Sequence, residues 1–291
     1  METFLHDISW VVPLRSAILT PIFKGFSLLG YTPFFLAFLP IGYWLWDKKM
    51  FTRLAILIGI VGISNSFLKD LFLDPRPPLA FALDNGVGES FGLPSGHAQV
   101  ATAMWLWLAY EIKRPWAWGA AAIIAAGVGF SRIYLGVHDV EDVLAGTLLG
   151  LASVVIYRGL ISDQFKFWHD LNPEIQVLAI AALAPLFWMF WPRDVVPIGI
   201  FALVSFIAFW WLGRIIEERW IHYERHESWL FAGTAAAAGI VILFSLFKVM
   251  GDNFEAIGLS KLAAAALQSA IISLYVTAIA PAIFRLSRLA W

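Results

Sequence analysis

Residues 98–157 read AQVATAMWLWLAYEIKRPWAWGAAAIIAAGVGFSRIYLGVHDVEDVLAGTLLGLASVVIY. Three apolar runs stand in this stretch, Ala98–Ile112, Trp116–Tyr134 and Val140–Tyr157, parted by two short polar breaks. A helix crossing a bilayer needs roughly 20 mostly apolar residues. Hydrocarbon leaves backbone polar groups only each other as partners, so such runs read as helices. Working outward, the pattern recurs at Leu28–Trp46 and Leu54–Leu73 on one side. On the other it recurs at Ile175–Trp191, Val195–Leu212, Trp229–Phe247 and Leu262–Phe284. The expectation is an all-α, polytopic integral membrane helix bundle of about nine spans. Ala98–Ile112 is the short one and suits a helix packed among others. Trp and Tyr lie near many of the ends, as interfacial aromatics do.

Composition agrees. Apolar residues make up 60% of the chain and charged residues 14%, with a mean hydropathy of +0.76. A soluble domain has about 45–50% apolar and about 25% charged residues. The net charge of −1 gives no support to nucleic-acid binding, and the absence of cysteine excludes disulfides and thiolate metal sites. Residues 1–30 do not read as a signal peptide, because Asp7, Arg15 and Lys24 interrupt the apolar stretches. With Trp10, Pro13 and Pro21 they read as an interfacial segment, the competing reading being a broken first span.

The chain, 1–291, is read as one membrane domain, with a catalytic core over 54–158 and additional transmembrane helices over 175–284. Nine spans put twelve Lys and Arg on the face that carries Lys48, Lys113 and Arg214, and eight on the other. Three of those eight belong to the motifs below, which leaves five as background. By the positive-inside rule the twelve-residue face is cytoplasmic, so the N-terminus is expected outside and the C-terminus inside. The charge-dense stretch Arg214–Ser228 is expected to be a solvated cytoplasmic or interfacial helix. Gly146 and Gly150 form a small-xxx-small pattern that allows close helix approach.

Three segments gather most of the polar residues. They are Lys69-Asp-Leu-Phe-Leu-Asp-Pro-Arg76-Pro77, Pro94-Ser95-Gly96-His97, and Ser131-Arg132 with His138 and Asp142. In the nine-span arrangement all three fall at one membrane face. Lys69, Arg76 and Arg132 would repel one another there unless they share an anion, and a phosphate matches guanidinium forks and an ammonium. Pro75 and Pro77 stop a helix, so Lys69 belongs to its last turn and Arg76 to the loop. Ser95 stands at an N-cap position, from which the Gly96 and His97 N–H groups would face an anion. His138 and Asp142 are four apart, on one helical face. Asp142 can then fix the tautomer of His138 and leave its other nitrogen free to attack phosphorus, with His97 as general acid. Asp139 and Glu141 are assigned to surface or structural pairing. The loop 78–93 adds Asp84 and Glu89 but no further cation.

Lys-x6-Arg-Pro, Pro-Ser-Gly-His and Ser-Arg-x5-His-x3-Asp together resemble the three-part signature of the type 2 phosphatidic acid phosphatase (PAP2) superfamily. The signature occupies Lys69 to Asp142, about a quarter of the chain, with every signature residue present. The resemblance implies hydrolysis of a phosphate ester through a phosphohistidine, without metal or other cofactor. It implies His138 as nucleophile, His97 as general acid, Asp142 as the partner of His138, and Lys69, Arg76, Ser95, Gly96 and Arg132 as phosphate-binding residues. Two spans before the first motif and nine in all are similar to the glucose-6-phosphatase and sphingosine-phosphate phosphatase branches.

The leading expectation is therefore a phosphatase taking a phosphorylated lipid, as phosphomonoester or diphosphate, at the outer membrane face. Its partners would be that ester, the phosphate product and membrane lipids. A sugar-phosphate phosphatase is the alternative and a phosphate-binding transporter a remote one. The orientation yields a direct test. A reporter fused to the N-terminus is expected outside the cytoplasm and one at the C-terminus inside; both on one side would overturn the nine-span count.

Overall fold

Helix formation follows the apolar runs, and their lengths set which of them match a membrane span. The computed structural model describes residues 5–84, 86, 90–162, 166–193, 196–254 and 257–287; Glu89, Val195 and Arg288 lie outside these. Among the described residues the regular elements are helical. They include α1 (Leu19–Leu28), α2 (Thr32–Leu45), α3 (Lys48–Phe72), α4 (Gly96–Ile112), α5 (Pro115–Tyr134) and α6 (Val140–Leu160). Then come α7 (Lys166–Asp170), α8 (Pro173–Ala181), α9 (Leu183–Met189), α10 (Ile198–Ile221), α11 (Trp229–Asn253) and α12 (Lys261–Leu286).

Six of these helices, α3, α5, α6, α10, α11 and α12, are long and apolar enough to cross a membrane. The pair α1 and α2, bent by 58°, makes a seventh if counted as one broken span. Length and composition thus give six or seven, where the sequence led us to expect nine. Two expected spans account for the difference. Ala98–Ile112 falls in α4, which has only 17 residues and buries Ala98, Ala101, Met104, Trp107 and Leu108. Ile175–Trp191 is broken into α8 and α9, because Pro185 has no N–H to donate back toward Ala181 and its ring crowds that carbonyl.

The chain divides into two contact units: Met1–Phe35 with Ile60–Gln164, and Leu36–Gly59 with Phe165–Trp291. In the first, α4 packs between α5 and α6. A Cβ on Gly146 would stand 2.5 Å from the Ser95 carbonyl oxygen, and one on Gly150 would stand 2.7 Å from that of Gln99. Those two glycines let α6 press backbone to backbone on the start of α4. At the α1–α2 corner, a Cβ on Gly30 would stand 2.2 Å from the His97 ring.

In the second unit, Trp44 donates to the Val276 carbonyl at 2.7 Å and Ser205 to that of Ala266 at 2.7 Å. The charge-dense stretch is not a separate solvated helix. Its first part continues α10 through a π-helical turn, Glu217–Ile221, and a left-handed His222 ends it. Glu217 is buried, held by Lys48 at 2.7 Å and by the Tyr223 N–H at 2.7 Å.

Overpacking at a backbone contact costs about 1–3 kcal/mol. Gly146→Val is expected to lower thermal stability in detergent by an amount in that range and to displace Ser95. The comparable change at Gly159, which a Cβ would leave in open space, is expected to be silent in the same melts.

Candidate active site

The turn between α5 and α6 positions the proposed nucleophile. Gly136, at φ +72°, takes a left-handed conformation that a side chain would strain, and a Cβ there would lie 2.0 Å from the Phe81 carbonyl oxygen. The Val137 and His138 N–H groups then donate to the Arg132 carbonyl at 3.1 and 3.3 Å. Asp139 caps α6 in a reciprocal capping box with Asp142. Its other carboxylate oxygen lies 2.8 Å from His6 Nδ1, so the structural role expected of Asp139 is what the geometry gives it.

His138 is 2% exposed and Asp142 1%. His138 Nδ1 lies 2.7 Å from Asp142 Oδ2, and its Nε2 lies 3.0 Å from an Arg76 guanidinium nitrogen. Arginine only donates, so Nε2 is the accepting nitrogen with a lone pair and Nδ1 carries the proton. Burial, followed by the Arg76 and Lys69 charges, holds the His138 pKa well below its ordinary 6.5. The imidazole is therefore neutral, with its free electron pair facing the cations.

All three cations converge as expected, and each already has protein partners. Arg76 donates to the Ser90 carbonyl at 2.6 Å, to its hydroxyl at 2.8 Å and to the Val137 carbonyl at 2.7 Å. Lys69, on the last turn of α3, donates to the carbonyls of Phe91 and, at 2.8 Å, Gly92. A Cβ on Gly92 would meet carboxylate oxygens of both Asp142 and Asp74 at 2.9 Å, so this loop passes where only glycine fits. Arg132, with no exposed surface, donates to Asp84 at 3.0 Å and to the Ser27 hydroxyl.

Ser95 occupies the N-cap position of α4, but its hydroxyl caps nothing. Among the described residues, buried polar atoms without a hydrogen-bond partner include Ser95 Oγ, His97 Nε2, Arg132 Nε and Nη2, and Asp142 Oδ1. Buried polar atoms are nearly always paired, so orphans drawn from four motif residues point to a polar ligand. Gly96 passes tightly beside Asn65, where a Cβ would stand 2.9 Å from Oδ1. Asn65 in turn donates to the Pro94 carbonyl at 3.1 Å and to Gln99 at 2.9 Å, bracing the loop into α4.

Several residues of the site lie outside the motif reading. Tyr31 packs edge-on against His97 at 4.6 Å, stacks 5.7 Å from the Arg132 guanidinium and donates to Asp84. Burial acts to raise the pKa of Asp84. The hydrogen bonds from Tyr31 and the Gly86 N–H, with the Arg132 charge, outweigh it and hold the carboxyl below its usual range. Asp84 is therefore a carboxylate seated on a motif arginine.

A family model described as the PAP2 superfamily matches residues 50–166. The chain is 31% identical over 136 residues to sphingosine-1-phosphate phosphatase 2 of Mus musculus, covering 44% of this chain and 38% of that protein. It is 31% identical over 161 residues to phosphatidylglycerophosphatase B of Bacillus subtilis (strain 168), covering 51% of this chain and 78% of that one. A crystal structure of a transmembrane PAP2-type phosphatidylglycerolphosphate phosphatase from Bacillus subtilis aligns with TM-score 0.47 at 27% identity, over 54% of this chain and 84% of that one. The match spans well under half the length of the mammalian relatives. With the signature residues gathered at one site, and 31% identity across 78% of the bacterial relative, the chain belongs to the PAP2 superfamily.

Proposed function

We propose that the protein is a membrane phosphatase that hydrolyses a lipid phosphate ester through a phosphohistidine on His138. One observation carries the reading: a buried imidazole, its tautomer set by Asp142, turns its lone pair to Arg76 within a cluster of three cations and orphaned polar atoms. Such a cluster suits a phosphoryl group, whose transfer depends mainly on positioning and charge stabilisation.

In the first step, the His138 Nε2 lone pair forms a bond to phosphorus while the bond to the leaving oxygen breaks. His97, whose protonated form the negative charge of the bound phosphate ester favours, gives its proton to that oxygen. Arg76, now on Nε2, turns its N–H toward a phosphoryl oxygen, and Lys69, Arg132, Ser95 and the α4 N-terminus hold the others. In the second step, water attacks phosphorus, His97 takes its proton, and the P–N bond breaks to return His138 and release phosphate. Asp142 steadies the imidazolium character that develops on His138 in both steps. The three cations and the helix N-terminus supply the charge stabilisation, so this route calls on no metal ion.

A lipid substrate is supported by the surroundings of Arg76. Leu71 and Phe72 end α3 and Leu73 follows it, all about half exposed, and Leu79, just past Pro77-Pro78, is 84% exposed. Apolar side chains on both sides of a phosphate-binding arginine suit an acyl or sphingoid tail at the interface. The relatives named for sphingosine phosphate and phosphatidylglycerophosphate point the same way. The background of basic residues supports the non-cytoplasmic face as the one that holds the site.

The test is phosphate release by purified protein from lipid, prenyl and sugar phosphates with chelator present. His138→Ala is expected to lose at least about a thousandfold in kcat and Asp142→Asn about a hundredfold or more, with the fold kept. Full activity in His138→Ala, or a strict need for a divalent metal, would refute the mechanism. The pH dependence has a definite sign. Because the folded His138 pKa lies below the unfolded 6.5, its neutral, attacking form persists on acidification past that value. Stability is lost as pH falls below 6.5, where the unfolded chain takes up the proton first. Melts in detergent from pH 8 to 5 are expected to show that acid-side loss and to show it diminished in His138→Ala.

A further inference from the structure

We propose that Asp84 acts as an internal anion that competes with phosphate for Arg132, so that substrate binding and product release are exchanges of one anion for another. This rests on the phosphatase reading above and adds to it a residue outside the three motifs. The geometry is specific. Asp84 Oδ2 accepts from Arg132 at 3.0 Å and from the Tyr31 hydroxyl, with the Ser27 hydroxyl 3.5 Å away. Its other oxygen accepts from the Gly86 N–H at 3.0 Å, so the carboxylate is held at both ends. Arg132 is fully buried, and its Nη1 is the nitrogen engaged by Asp84 and Ser27 while Nε and Nη2 have no partner.

A phosphate dianion taking Nε and Nη2 would stand beside a carboxylate on the same guanidinium. Two like charges that close repel, and a site screened from water makes the repulsion larger than in solution. Asp84 must therefore yield as phosphate binds, while Tyr31 and Ser27 keep it within reach. Once the P–N bond has broken, the same carboxylate returns to Arg132 and weakens its hold on inorganic phosphate. Asp84 is thus a positioning residue that trades affinity for release. The trade is one of mutual coupling, since whatever Asp84 costs the phosphate, the phosphate costs Asp84.

The test uses the full-length protein in detergent with orthovanadate and inorganic phosphate as probes, read by thermal shift and by inhibition of lipid-phosphate hydrolysis. Asp84→Asn keeps an acceptor for Tyr31 and Arg132 but removes the charge. It is expected to bind both anions about tenfold more tightly, within the usual range of such coupling, and to become more strongly product-inhibited. Tyr31→Phe keeps the ring against His97 and Arg132 while loosening Asp84, and is expected to shift binding the same way by a smaller factor. It covers the case in which Asp84→Asn does not fold. Wild-type binding with equal or weaker binding in both variants would overturn the role of Asp84 and leave the phosphatase reading intact. No binding of either anion by wild type would overturn both.

Discussion

Three cations held close together, two of them buried, set the terms for everything around the site. Lys69, Arg76 and Arg132 come from the end of one helix, a loop and the end of another. None of those elements alone would bring them together. What makes the arrangement tolerable is a shell of oxygen: the carbonyls of Ser90, Phe91, Gly92 and Val137, and the carboxylate of Asp84. The loop between α3 and α4 is therefore less a connection than a counterion, and its glycine at 92 is the condition for its passing so near Asp142 and Asp74.

The same constraint explains the state of His138. An imidazole surrounded by positive charge and buried cannot hold a second proton, so it stays neutral and its lone pair stays available. Asp142 does not change this, because it takes the Nδ1 proton as a hydrogen bond and leaves Nε2 toward Arg76. Orientation comes from a capped helix start and charge state from the neighbouring cations. Two independent devices thus act on one side chain.

Much of this was legible in the sequence. The apolar runs located the helices, and the polar residues of an otherwise apolar chain marked the site, because such residues are scarce in membrane segments. The spacing of His138 and Asp142 was enough to pair them, and the small-xxx-small glycines marked a close helix approach whose partner, α4, only the structure identifies. What escaped was of two kinds. The apolar runs carried no sign that α4 would stop at 17 residues with its side chains buried by neighbours, nor that a break at Ala182, ahead of Pro185, would divide Ile175–Trp191. Residues acting through tertiary contact also carried no local signal. Asp84 is an unremarkable loop carboxylate until Arg132 is beside it, and Glu217 looked solvated within a charge-dense run until Lys48 and the Tyr223 N–H were found to hold it.

The family match begins at residue 50, yet earlier residues brace the site. His6 holds Asp139, Arg15 braces the Phe81 and Tyr134 carbonyls, Ser27 and Tyr31 hold the Arg132–Asp84 pair, and Gly30 leaves room for the His97 ring. The recognisable catalytic segment is therefore not a transplantable module. A chimaera joined at the family boundary would carry every signature residue and still lack the contacts that orient them, so a graft of the site needs the chain from His6 onward.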